Sequence, residues 1–318
     1  MVTDNPDPAL DPPSSTADLP ANEVAVDLDD GGRWTSLVLG GREWLWTGPG
    51  LISGPRSDLT TYVDVGGLDE CFPTVRGTPD HGGLWNQPWG SLDEDEDWDA
   101  VQYGEAVLLR RFNGGDPPAE MDETGAIWVD YHLVAPAGFQ FIWAAHALLD
   151  CAVGAKLDIP TGTECRAYVD PPPAASASEP AAQCGGWAGA SRALTSATKE
   201  PRTWVAGAWP APAGTDLSSY GPTDGTAIGA VLLDCPSTSV IDGDNALTFS
   251  LSCPGQPVST AVWRNLGGYP AEAPYRSLGV EPMLGRVFGL AEAGPGDAAV
   301  VPESGELTWR LVVSARSV

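Results

Sequence analysis

The sequence predicts an all-β fold, built as one large antiparallel β-sandwich. Three observations carry that prediction. Short segments rich in Val, Leu and aromatic residues recur along the chain, each bounded by Gly, Pro, Asn or Asp. No segment sustains an apolar repeat at helical spacing. No strand–helix–strand alternation appears, which argues against a nucleotide-binding parallel sheet.

The elements follow in order. EVAVDLD (23–29), WTSLVLGG (34–41) and EWLWTG (43–48) open the fold as strands. EAVLLRRF (105–112), WVDYHLVA (128–135) and FQFIWAAHALLD (139–150) continue it. In the second half the strands are AIGAVLLD (227–234), ALTFSLSC (246–253), STAVWRNL (259–266) and ELTWRLVVSA (306–315). The 38 glycines and 30 prolines supply the turns between them. No internal repeat of propeller or solenoid type is visible. Residues 1–22, rich in Pro, Asp, Ser and Ala, read as a flexible tail, and 23–318 as the single sandwich domain. The stretch 171–186, PPPAASASEPAAQCGG, reads as a loop, and so does the acidic run at 93–97.

Composition excludes several functions. With 43 acidic and 16 basic residues the formal net charge is −27, and only two lysines are present, Lys156 and Lys199. A nucleic-acid binder needs a basic face, and anionic membrane surfaces would repel this chain. No stretch approaches the ~20 consecutive apolar residues of a membrane span, and the N-terminus lacks the basic and apolar regions of a secretory signal. The six cysteines form no C-x-x-C pair and read as mostly reduced thiols of a cytoplasmic protein, with one disulfide pair left open.

The chain has three histidines. Strand alternation places His132 with Trp128 and Asp130 on one sheet face, an ordinary half-exposed position. His146, in FIWAAHALLD, lies in a run apolar on both parities, where a titratable ring needs a partner or a purpose. A core histidine bonded to a backbone group is the alternative. His81, in TPDHGGLWNQPWG, sits in a loop whose glycines admit a ligand. The adjacent Trp85 and Trp89 offer faces that pack against sugar rings. Glu281, in LGVEPML, is an isolated acid in apolar surroundings, where desolvation favours a general base. The alternative there is a loop glutamate paired with Arg276 or Arg286.

Taken together, ECFPTV…PDHGGLWNQPW, WAAHALLD and GVEPMLG resemble the galactose mutarotase-like superfamily of aldose 1-epimerases and hexose-6-phosphate mutarotases. The resemblance runs from about residue 23 to the final WRLVVSA strand. It implies a mutarotase-like sandwich whose catalytic residues fall on His81, His146 and Glu281. It implies anomer interconversion, with Glu281 as base, His146 as acid and His81 holding the ring oxygen or a nearby hydroxyl. The sugar-phosphate branch has an arginine soon after the first His-Gly. Here the run is His81-Gly82-Gly83-Leu84-Trp85, and a free monosaccharide is the expected substrate. The second histidine is followed by Ala147, Leu148 and Leu149 rather than an aromatic pair, and no residue matches the family's sugar-binding aspartate.

Arg76, Asp80, Trp85, Trp89, Trp263 and Asn265 are the expected substrate contacts, with Arg264 and Tyr269 secondary. No metal or organic cofactor is required, because the histidines lack metal-ligand spacing. The expected assembly is a monomer or homodimer. Two other readings stay open on the sequence: an isomerase or cyclase of a non-sugar metabolite, and a non-catalytic carbohydrate-binding protein.

Overall fold

The computed structural model describes residues 22–48, 50, 55–92, 95–115, 125–168, 204–270 and 273–318. The tail expected over 1–22 lies outside them apart from Asn22, which opens a strand. The loop expected at 171–186 also lies outside them. In the first half the strands are β1 (Asn22–Asp27), β2 (Arg33–Leu39), β3 (Arg42–Glu43), β4 (Leu68–Cys71), β5 (Gly90–Leu92), β6 (Asp95–Tyr103), β7 (Ala106–Phe112), β8 (Ala126–Val134), β9 (Gln140–Phe141) and β10 (Trp143–Leu149). In the second half they are β11 (Lys156–Asp158), β12 (Glu164–Tyr168), β13 (Val205–Ala208), β14 (Ala227–Leu232), β15 (Ser237–Asp242), β16 (Asn245–Ser252), β17 (Val258–Tyr269), β18 (Tyr275–Leu284), β19 (Ala299–Val300) and β20 (Glu306–Ser317). Among the described residues the only helical elements are two short 3₁₀ turns, and no helix is long and apolar enough to cross a membrane.

Two antiparallel sheets form the sandwich. The ten-stranded sheet runs β1-β2-β4-β10-β18-β17-β14-β12-β13, with β3 beside β2. The eight-stranded sheet runs β11-β15-β16-β20-β8-β7-β6-β5. A small β19-β9 pair is separate. The all-β prediction holds, and the sequence patterns explain the layers. In β8, Ile127, Val129, Tyr131 and Leu133 are buried while Trp128, Asp130 and His132 face outward. His132 is half-buried, 3.4 Å from Glu306, as its alternation implied. Every residue of β10 is buried. Trp143, Ala145, Ala147 and Leu149 point into the inter-sheet core, while Ala144, His146 and Leu148 lie on the outer face beneath loops.

Some segments differ from the sequence reading. The segment 139–150 splits between β9 and β10, which belong to different sheets. Of 43–48 only Glu43 is in a strand, while Leu45 and Thr47 make isolated bridges to Leu149 and Gly66. The acidic run is not wholly a loop: Asp95 opens β6, paired with Leu92 of the edge strand β5.

The inter-sheet core contains a buried ion pair. Glu70 of β4 accepts hydrogen bonds from Tyr131 Oη (2.8 Å), Trp143 Nε1 (2.7 Å) and Arg110 Nη1 (3.3 Å). Arg110 also bonds Asp99 (3.1 Å) and lies over the Trp89 ring at 4.3 Å. Burial pushes the Glu70 carboxyl above its ordinary range, even though Arg110 pulls the other way. Removing one member of such a pair strands the other charge. Arg110→Met is therefore expected to destabilise the fold by about 3–5 kcal/mol in urea unfolding. Arg110→Met/Glu70→Gln should recover much of that loss.

Candidate active site

The outer face of the ten-stranded sheet carries the site, and strand register builds it. β10 pairs with β18 at Ala144↔Met283 and Ala147↔Val280. The same register sets His146 opposite Glu281 and Ala145 opposite Pro282. Pro282 has no N–H to donate, so its ladder is broken at this point. On the other side of β10, His146 is opposite Asp69 of β4. Directly opposed residues in antiparallel strands share a face. Asp69, His146 and Glu281 therefore form one row across three strands.

His146 Nδ1 is 3.0 Å from Glu281 Oε1, and its Nε2 is 3.7 Å from Asp64 Oδ1. Glu281 is 0% exposed and His146 3%. Burial by itself lowers the imidazole pKa, but Glu281 and Asp64 outweigh it and hold the ring well above the ordinary value of 6.5. The short contact and the upward push on the ring go together, since a protonated imidazole is what a nearby carboxyl group favours. Gly279 gives it room, since a Cβ there would meet Trp263 Cβ at 2.8 Å and Glu281 Oε1 at 3.2 Å.

His81 comes from the loop after β4. Its backbone N donates to Val75 O (2.8 Å), and its φ of 60° is left-handed, an uncommon state for a residue with a Cβ. The next residue must be small: a Cβ on Gly82 would fall 2.1 Å from Phe72 O. His81 Nδ1 lies 3.5 Å from Asp80 Oδ1, and its ring centroid is 5.1 Å from that of His146. Burial raises the Asp80 carboxyl, but His81 and Arg76 outweigh it and hold it below its ordinary range. The Tyr62 ring stacks on His81 at 3.6 Å and 14°. The three predicted catalytic residues thus meet at one buried point.

The predicted contacts divide. Asp80, Arg76 and Trp85 lie around His81. Trp85 is buried, with Nε1 donating to Asp80 O (3.2 Å), so it braces the loop from behind. Trp263 packs beside Gly279 on the face of Glu281 and begins an aromatic run through Tyr269 (6.1 Å) and Tyr275 (6.3 Å) to Trp46, stacked on Tyr275 at 4.7 Å. Trp89 is not part of this group: its ring is in the inter-sheet core, against Arg110. Asn265 is occupied by its own turn, donating to Tyr269 O (2.7 Å) and accepting from Gly268 N and Tyr269 N. Arg264 is one residue from Trp263, hence on the other face, and bonds Asp216 O and Ser219 O. Glu281 is not a loop glutamate. Arg276 bonds Gly221 O and Thr223, and Arg286 pairs with Asp234.

Sequence reasoning missed Arg56, Tyr62, Asp64 and Asp69. Only Asp64 left a signal, a lone acid between Val63 and Val65. Asp64, His81 and His146 each bring a ligand-type atom within 4.8 Å of the others, a spacing a divalent ion would accept. A metal ligand must be a neutral imidazole, whereas Glu281 and Asp64 push His146 towards its protonated form. Cys71 is no nucleophile here, since burial and then Glu281 push its thiol well up.

No protein-family model matches the chain, and no curated sequence gives a significant match. Solved structures do match. A Synechocystis sp. PCC 6803 protein aligns with a TM-score of 0.61 at 13% identity, covering 93% of this chain and 92% of its own. A galactose mutarotase-related enzyme from Lactobacillus acidophilus aligns at 0.54 and 12%, covering 94% and 96%. An aldose epimerase homologue from C. elegans aligns at 0.51 and 12%, covering 93% and 97%. The fold is the mutarotase-like sandwich. At these identities the likeness concerns the fold alone.

The elevated His146 pKa has a measurable consequence. A pKa raised on folding adds stability that is fully present below about 6.5 and is lost as pH rises through the folded value. By NMR, His146 should titrate above 6.5, and Glu281→Gln should bring its midpoint down. A midpoint unmoved by Glu281→Gln would dissolve the proposed pair.

Proposed function

We propose that the protein is an aldose 1-epimerase-like isomerase that interconverts the anomers of a free, non-phosphorylated sugar. The observation that carries this reading is the buried His146–Glu281 contact, with His81 beside it, on a mutarotase-like sandwich. Mutarotation acts on two oxygens bonded to one carbon, so its acid and base must be close neighbours. Glu281 takes the proton from the anomeric hydroxyl. The bond from the anomeric carbon to the ring oxygen breaks, and imidazolium His146 gives that oxygen its proton. The open-chain aldehyde turns about its first C–C bond, and closure reverses both transfers. His81 hydrogen-bonds the ring oxygen or an adjacent hydroxyl and fixes the geometry.

The 3.0 Å contact of the free protein refines this scheme. Acid and base touch, rather than standing apart across an empty gap. The substrate must insert its two oxygens between them, exchanging this close contact for two hydrogen bonds directed at the reacting atoms. The aromatic run from Trp263 to Trp46 suits the C–H face of a sugar ring.

Polarimetry of freshly dissolved α-glucose and α-galactose tests the proposal. The protein should accelerate the approach to anomeric equilibrium for at least one aldose. A positioned acid or base contributes on the order of 10²–10⁴-fold, so Glu281→Gln and His146→Asn should each lower turnover at least ~100-fold with folding intact by circular dichroism. Near-normal turnover in either variant removes that residue from the mechanism. Sugar binding without acceleration would leave a carbohydrate-binding protein instead.

A further inference from the structure

We infer that the loop from Arg56 to Asp69 is the positioning element of this site, setting His81 through Tyr62 and His146 through Asp64. The inference rests on the acid–base reading above and adds to it two positioning residues on one stapled segment.

The staple is a buried ion pair that closes the loop at its ends. Arg56 Nη1 and Nη2 donate to the two oxygens of Asp69, both at 2.8 Å, and both side chains are at least 97% buried. Arg56 is held in turn by Asp30, through Nε to Oδ1 (2.8 Å) and Nη2 to the backbone O (3.0 Å). A bidentate guanidinium–carboxylate pair fixes orientation as well as distance. Burial raises the Asp69 carboxyl, but Arg56 outweighs it and holds it below its ordinary range. Asp69 therefore remains a charged acceptor.

Between these ends the loop presents two side chains. Tyr62 Oη donates to Asp69 Oδ2 (3.0 Å), which pins the far end of its ring. The Trp85 ring meets it edge-on at 5.4 Å. A ring held at its tip and its edge cannot rock. Its face lies on His81 at 3.6 Å, so it sets the plane of that imidazole. Two residues on, Asp64 faces His146 Nε2 at 3.7 Å. The groups facing His146 are Glu281 on β18, Asp69 on β4, and Tyr62 (edge-on at 6.1 Å), Asp64 and His81 from the loops. Of these, Asp64 is the carboxylate that opposes Glu281 across the ring. It keeps the Nδ1 edge turned to the base.

The test uses Tyr62→Phe, Tyr62→Leu and Asp64→Asn in the full chain. Misplacing a reacting group by about 1 Å costs up to ~10²-fold, so Tyr62→Leu should lower kcat ~10–100-fold with KM within about threefold. Tyr62→Phe keeps the stack and should lose less than Tyr62→Leu. In NMR spectra of Tyr62→Leu the His81 ring protons should move downfield, because the aromatic face above them is gone. Asp64→Asn should move the His146 midpoint and the high-pH limb of kcat to lower pH. The inference is overturned if Tyr62→Leu folds with unmoved His81 resonances or wild-type kcat, or if Asp64→Asn leaves the His146 midpoint in place. Should Tyr62→Leu fail to fold, Tyr62→Phe and Asp64→Asn decide: wild-type kcat in the first with an unmoved His146 midpoint in the second overturns it. The resonances and midpoints are read without turnover, so they judge the positioning role even if no sugar is converted.

Discussion

An imidazole and a carboxyl group 3.0 Å apart, buried, on adjacent strands: the rest of the site depends on that arrangement. Burying either charge alone costs several kcal/mol, and burying them together is tolerable only when geometry is good. The β10–β18 register provides the geometry by setting His146 opposite Glu281. β18 also lies between β10 and β17, in the middle of the sheet, where neither partner can drift. Both inner and outer faces of β10 are buried, so the pair sits on a rigid floor.

The loops then complete what the sheet begins. A turn forced into left-handed backbone at His81 and Gly82 brings a second imidazole within 5.1 Å of the first. A segment stapled by Arg56 and Asp69 lays an aromatic face on one histidine and a carboxylate on the other. Four carboxylates, Asp64, Asp69, Asp80 and Glu281, surround two imidazoles. Arg56 neutralises Asp69, and Arg76 and His81 offset Asp80, so the charge left to hold the His146 proton belongs to Glu281 and Asp64. With water excluded, these interactions act at a lower effective dielectric than they would on the surface.

How much of this was legible in the sequence depends on the kind of signal. Strands such as β8 and β20 alternate cleanly because one face is wet, and they read directly. β10 read as a strand carrying a histidine in apolar surroundings, and the structure sets that histidine against Glu281. β18 was missed as a strand because Pro282 interrupts it and its glycine-rich flanks resemble a loop, yet that proline sits where the ladder can spare an N–H. Trp89 and Trp85 looked alike in sequence. Only tertiary packing sends one to the inter-sheet core and the other behind the His81 loop. Arg56, Tyr62 and Asp69 gave no local signal, since their roles exist only through partners brought together by the fold. Asn265 shows the converse, a polar residue near the site whose capacity is taken by its own turn.

The most direct measurement is a crystal structure of the Glu281→Gln variant with an aldose bound. The anomeric carbon should lie between residue 281 and His146, its hydroxyl within hydrogen-bond distance of the former and its ring oxygen within reach of the latter. A sugar bound elsewhere on the sandwich, with the His146 pocket still closed, would contradict the assignment of this pair as the acid and base.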